Sequence, residues 1–285
     1  MSSFPANEEA TVRVAEMIYG SEPIPFDDPA ETYHEASKSY PSFDGRLSEG
    51  VRRLEASPQL QRSALRSVLR HETAPRIPLP EPLLPVAPLS DVLSERASCR
   101  SFTGEPIDLT QLSALLHGCY GVTRVRQDHR YRTVPSGGAL YPLEVYAVVR
   151  SVRSLERGLY HFDPHRRVLE VLRADATSAL EQAVYDPEMV RSAAVTLIIS
   201  CLFWRSRFKY RQRGYRFSLL EAGHAMQNLL LVARALDLGA VPIGGFYDAR
   251  VDEIIGADGV EHSSLYLAPV GVATIADEVT NADAS

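Results

Sequence analysis

The stretch AAVTLIISCLFWRSRFKYRQRGYRFSLLEAGHAMQNLLLVARALDLGA, residues Ala193 to Ala240, decides how the chain is read. Its first part, Ala193 to Trp204, is apolar but too short to cross a bilayer, which takes about 20 such residues, so it predicts a buried strand. Its last part, Phe217 to Leu238, repeats apolar residues at helical spacing and stops at Gly239, which predicts a long helix. Between them stand six cations, Arg205, Arg207, Lys209, Arg211, Arg213 and Arg216, in a chain whose net charge is -6. The first five alternate with other residues, so an extended segment would present them on one face and Phe208, Tyr210 and Gln212 on the other. Lys209 is one of two lysines in the sequence, Lys38 being the other.

Working outward, LEVYAVVR (143–150) reads as a strand, and GLYHFDP with RRVLEVLR reads as a hairpin turning at Asp163-Pro164-His165. Asp175 to Tyr185 has a helical pattern, and AVPIGGFY and SSLYLAPVGV read as strands separated by a short helix at Asp248 to Ile255. Upstream, DVLSER is a short helix, and Asp108 with Gln111 forms a capping box that opens DLTQLSALLHGCYG. Hairpins beside long helices imply an α+β fold with a mixed central sheet flanked by helices. Residues 1–87 differ in character: acidic and proline clusters, a polar helical stretch near 47–70, then PRIPLPEPLLPVAP, which cannot be helical because proline lacks the amide donor. They are read as an extended and helical N-terminal arm, residues 88–275 as the main domain, and 276–285 as a flexible tail.

With 36 acidic against 30 basic residues, nucleic-acid binding is disfavoured, and the cations are a local matter. Cys99, Cys119 and Cys201 are widely spaced and form no zinc set, so no metal is expected. Their number and the absence of a signal-like N-terminus point to the cytoplasm and away from a membrane.

Three groups could carry chemistry. RASCRSF (96–102) gathers two guanidiniums and a hydroxyl suited to a phosphate monoester. VPSGGALYPLEVY (134–146) lets backbone amides approach a flat or anionic ligand, and VPIGGFYD (241–248) repeats that logic after another strand. Each alone also fits a helix end or a tight turn.

Taken in order, with EAGHAMQNLLLVARALDLGA ahead of Ile-Gly-Gly-Phe, they resemble the FMN-dependent nitroreductase-like superfamily over about residues 88–272. Within it, PSGGALYP, the pair Lys209-Tyr210 and GYRFSLLEAGHAMQN look most like the SagB-type azoline dehydrogenases, and YHEASKSYPSF (33–43) is similar to the N-terminal arm of that group. Those enzymes oxidise thiazolines and oxazolines in thiazole/oxazole-modified peptide pathways. The resemblance implies a homodimer with FMN at the subunit interface, an azoline-bearing peptide as substrate, ribosomal or carrier-bound, and cyclodehydratase proteins as partners. It assigns Arg96, Ser98 and Arg100 to the FMN phosphate, Pro135, Ser136, Gly137 and Gly138 to the isoalloxazine and ribityl chain, and Gly244 and Gly245 to the ring edge. Lys209 and Tyr210 would be the catalytic pair; clustered arginines disfavour a neighbouring ammonium and would help the lysine act as a base. The chain departs from the family after Gly271, where VATIADEVTNADAS holds no basic pair, so Arg216 or another arginine of the strip would complete the phosphate site. Two other functions fit the same fold: a general nicotinamide-driven nitro or quinone reductase, and a flavin-empty scaffold subunit of a heterocyclase complex.

Overall fold

A computed structural model describes residues 29–38, 44–65, 67–127 and 129–274. The chain divides into two compact units, Met1–Asp44 and Gly45–Ser285. In the first, helix α1 (Pro29–Ala36) buries no side chain, and Lys38 pairs with Glu35 at 2.5 Å. Residues 39–43 of the expected arm motif and the expected tail at 276–285 lie outside the described residues.

The second unit, from Gly45, takes in the rest of α2 (Asp44–Ala56) and α3 (Pro58–Leu65), which divide the expected 47–70 helix at Ser57. Pro58 cannot donate to the preceding turn, and the Ser57 hydroxyl caps the new helix by accepting from Leu60 N at 3.3 Å. The proline-rich run then begins as a strand, β1 (Arg76–Pro78), at the edge of the main sheet, where a missing donor is tolerated. Helices α4 (Leu89–Glu95) and α5 (Leu109–Tyr120) follow, the latter with the expected Asp108/Gln111 capping box. A two-stranded ribbon, β2 (Val122–Arg126) with β3 (His129–Arg132), leads to β4 (Leu143–Val149). The expected hairpin is β5 (Gly158–Asp163) with β6 (Val168–Arg173), pairing Asp163 with Val168. Short helices α6 (Thr177–Glu181) and α7 (Pro187–Ser192) precede β7 (Val195–Leu202). Helix α6 stops short of Tyr185 because Val184 bridges to Phe246. Next come α8 (Trp204–Tyr210), α9 (Gln212–Ala235), β8 (Gly239–Ala240), α10 (Asp248–Ile255) and β9 (His262–Gly271). The strand expected over AVPIGGFY is cut to two residues, since Pro242 has no amide to donate, and resumes only as a bridge from Ile243 to Leu267.

The sheet order is β1-β6-β5-β4-β7-β9-β8, and every strand pair in it is antiparallel. The mixed character expected of it is confined, among the described residues, to a parallel bridge between Ile107 and Val152 beside the sheet. Short hairpins join β4 to β5 to β6, which only antiparallel neighbours allow. The strands alternate between two cores. Val145, Ala147 and Val149 of β4, with Leu197 and Ile199 of β7, face α5 and α9. Tyr146, Val148 and Ile198 face α6, α7 and α10. The result is an α+β fold with helices on both faces of one sheet. Among the described residues, no helix is long and apolar enough to cross a membrane.

Leu115 of α5 is fully buried in the first of these cores. Leu115→Ala should lower unfolding free energy by about 2–5 kcal/mol, measured by urea denaturation, through lost burial and a residual cavity.

Candidate active site

The Pro-Ser-Gly-Gly segment forms a tight turn whose backbone is unusual. Gly138 (φ 67°), Ala139 (φ 54°) and Tyr141 (φ 47°) all occupy the left-handed region, which costs energy at the two non-glycine positions. Ser136 holds it: its carbonyl accepts from Ala139 N at 3.0 Å and its hydroxyl from Tyr141 N at 2.9 Å. Pro135 and Gly138 remain exposed, while Ser136 and Gly137 are half-buried.

Lys209 and Tyr210 lie directly against this turn. A methyl group on Gly138 would sit 2.6 Å from Tyr210 Oη and 2.8 Å from Lys209 Nζ. One on Gly137 would sit 3.0 Å from Phe217 Cδ2 and 3.6 Å from Tyr210 Cε2. The positive φ of Gly138 favours glycine there, and at Gly137 the Phe217 ring would have to give by a few tenths of an ångström to admit a side chain. Phe217 packs edge-on against the Tyr210 ring at 5.1 Å, and Lys209 Nζ lies 5.2 Å from that ring's centre.

The cationic strip is not extended. It forms α8 and the first turn of α9, broken at Arg211, whose φ of 51° kinks the chain. Arg, Lys, Gln and Tyr are adequate helix formers, no β-branched residue intervenes, and the alternation had no cross-strand partner to serve. Gly214 lets the two helices meet, since a methyl there would lie 2.8 Å from the Ser206 carbonyl carbon. The cations consequently point to different places. Arg205 pairs with Glu144 at 2.5 Å, Arg207 stacks over Trp204 at 4.7 Å, and Arg213 lies 5.9 Å from the Phe217 ring centre.

Behind the turn is a buried acid. Glu221 of α9 accepts a hydrogen bond from the Tyr120 hydroxyl, and Tyr120 Oη in turn accepts from Leu143 N at 3.2 Å. Burial pushes the Glu221 carboxyl up to about 7, against the Ser136 and Tyr120 hydroxyls and Arg132. Arg132, itself buried, lies over the Tyr120 ring at 4.0 Å.

A second buried group was missed outright. His161 of β5 stands between Glu144 of β4 (Nε2 to Oε2, 2.8 Å) and Glu170 of β6 (Nδ1 to Oε2, 3.0 Å). Burial disfavours its charge, but the two carboxylates outweigh it and raise His161 to about 9. Glu144 is likewise desolvated, yet Arg205 and His161 hold it down at about 2. Ligand atoms of His71, His161 and Glu170 lie within 4.8 Å of one another, the geometry of a possible metal set. Both ring nitrogens of His161 are already taken by carboxylates, so the group is better described as an imidazolium clamped between two acids. The signal was available as an acid or histidine inside each of three apolar strands, LEVYAVV, LYHF and VLEVL.

The other expected residues lie elsewhere on the unit. Arg96 caps α4, and Arg96 and Ser98 are half-buried while Arg100 is exposed. That segment runs beside β8 and β9: Cys99 N donates to Ala240 O at 3.0 Å and Thr103 N to Val272 O at 2.9 Å. Gly244 and Gly245 are exposed after β8, with Tyr185 Cε2 3.0 Å from where a Gly245 methyl would be. Arg216 is half-buried near the start of α9. His224 is exposed, so it is not packed within this chain. All three cysteines are free and buried, and burial pushes Cys119 and Cys201 up to about 12, in keeping with inert thiols.

The Nitroreductase family model matches residues 93–272, and the chain belongs to that family. It is 38% identical over 184 residues to "Putative nitroreductase MJ1384" of Methanocaldococcus jannaschii, covering 64% of this chain and 90% of that one. It is 33% identical over 133 residues to the Microcin B17-processing protein McbC of Escherichia coli, covering 45% of this chain and 49% of that one. The match thus takes in about half the length of that relative. Among solved structures, the E. coli Microcin synthetase McbBCD complex with truncated pro-MccB17 bound contains a chain of the same fold, with TM-score 0.55 and 22% identity over 80% of this chain and 93% of that one.

Because Glu221 keeps its proton up to about 7 when folded, against an ordinary 4.5, the native state binds the extra proton within that window. Its contribution is fully present below 4.5 and is lost as pH rises through about 7. Glu221→Gln should flatten this part of the stability profile, so that the variant gains relative to the native protein with rising pH in denaturant titrations. Parallel profiles would contradict the assignment.

Proposed function

We propose that this protein is an FMN-dependent enzyme that oxidises thiazoline or oxazoline rings to thiazole or oxazole in a peptide natural product. The observation that carries the reading is the placement of Lys209 Nζ and Tyr210 Oη against the exposed Gly138 backbone. The likeness to a microcin-processing protein supports the peptide substrate.

The residues fit a flavin. Gly137 and Gly138 leave a surface without side chains, bordered by an amine and a phenol, and the exposed Gly244 and Gly245 offer a second one. Pro135, Ser136, Gly137 and Gly138 would line the ring and ribityl chain, and Gly244 and Gly245 would face its edge. Arg96, Ser98 and Arg100 would hold the phosphate, with Arg216 in place of the absent C-terminal basic pair. A bound flavin would supply the hydride acceptor.

Aromatising an azoline removes a proton and a hydride from adjacent ring carbons. Lys209 Nζ and Tyr210 Oη form the pair that receives the proton. Phe217 holds the Tyr210 ring edge-on, and Ser136, bonded to Ala139 N and Tyr141 N, sets the turn against which both groups are aligned. Positioning and proton uptake are what this chain contributes. Leu219 and Leu220 of α9 and Leu89 and Leu93 of α4 are exposed leucines, which supports a homodimer that would cover them. Cyclodehydratase proteins are the proposed partners, on the likeness to a chain of the microcin synthetase complex.

The test is incubation of the flavin-loaded protein with an azoline-bearing peptide, following loss of two hydrogens by mass spectrometry. Lys209→Ala should retain flavin absorbance and lose about 10²–10⁴-fold in kcat. Normal turnover by that variant, or fast nicotinamide oxidation with nitroaromatics and none with the peptide, would overturn the reading.

A further inference from the structure

Helix α8 carries Lys209 and Tyr210 on only seven residues, and it is held at both ends by contacts that involve chain outside the matched nitroreductase region. At its C-terminal end, α2 crosses it at Gly50. A methyl group on Gly50 would overlap the Lys209 carbonyl oxygen and lie 3.0 Å from its carbonyl carbon and 3.1 Å from its Cα. The contact is backbone against backbone, at the very residue that bears the amine.

At its N-terminal end, Arg205 is anchored by Glu144 Oε1 at 2.5 Å, and the same oxygen accepts from Leu69 N at 2.6 Å. Glu144 Oε2 holds His161, which holds Glu170, whose Oε2 accepts from His71 N at 3.1 Å. Segment 69–71 is thereby fixed to three strands and, through one carboxylate, to α8. Arg205 and Lys209 are four residues apart and so share a face of the helix. Between these anchors Lys209 Nζ and Tyr210 Oη stand over Gly138, 2.8 Å and 2.6 Å from where a methyl group on it would be. The kink at Arg211 is the joint at which a displaced α8 would move.

We propose that Gly50 of α2 and segment 69–71 form a brace that positions Lys209 and Tyr210 against the Gly137-Gly138 turn, with Gly50 as its bearing point and Glu144–Arg205 as its second anchor. Gly50, Glu144 and Arg205 are positioning residues, acting through α8. The consequence for turnover rests on the proposed role of Lys209; the placement of the amine does not.

The sequence provides its own test, because it holds two lysines, Lys209 and Lys38. Competitive labelling of the full-length protein with trace acetic anhydride, read by peptide mass spectrometry, reports Lys209 against Lys38 as the internal reference. Gly50→Ala and Gly50→Val should change the Lys209 to Lys38 labelling ratio several-fold, the larger side chain more, with Glu55→Gln on the exposed face of α2 as a neutral control. Where Gly50→Val fails to fold, Gly50→Ala and Arg205→Lys carry the comparison, folding being checked by near-ultraviolet circular dichroism. On an azoline peptide the loss should fall on kcat by roughly an order of magnitude or more, with KM little changed, as misplacement by about an ångström requires. An unchanged labelling ratio in folded Gly50→Ala and Arg205→Lys overturns the brace, whatever happens to turnover. An altered ratio with undiminished turnover leaves the brace standing and overturns Lys209 as the base.

Discussion

A single carboxylate, Glu144, ties the architecture together. It is buried in the middle strand of a seven-stranded sheet, where an unpaired charge would cost several kcal/mol. Its two oxygens are instead engaged by a guanidinium, an imidazolium and a backbone amide, each from a different part of the chain. Removing any one of these leaves the others facing an uncompensated charge. The arrangement therefore makes the sheet, the N-terminal segment and the lysine-bearing helix interdependent in a way that apolar packing, being non-directional, would not.

The same logic runs on the opposite core. Glu221 is placed where burial outweighs its partners, so it is an acid that can be neutral near physiological pH, while Glu144 is placed where its partners outweigh burial. Two glutamates on one scaffold are driven apart in proton affinity by their surroundings. The one with raised affinity is tied to Tyr120 behind the strained turn; the charged one supports the helix packed against that turn through Arg205.

Much of this was legible in the residues. The capping box at Asp108, the hairpin at Asp163, the buried strand from Val195 and the long helix from α9 follow from local patterns strong enough to survive tertiary context. Lys209-Tyr210 and Pro-Ser-Gly-Gly could be singled out, and the structure brings them together. The cationic strip departs from the extended form that its alternating charges suggest, because it has no neighbouring strand to pair with and folds as α8 and the first turn of α9. Contacts of Gly50 and His71 with sites far along the chain had no local signature, since a glycine is required there only by a carbonyl from a distant helix. Glu144, His161 and Glu170 did leave a trace, as ionisable residues within apolar strands, whose meaning depended on strand order.

The three sheltered thiols have a practical side. With every native cysteine buried, and two of them strongly resistant to ionisation, a maleimide or spin label would find no native competitor. A cysteine substituted at an exposed position such as Glu105 would be a unique attachment point, so fluorescence or electron-spin distances could be gathered from the otherwise native sequence without first stripping it of sulfur.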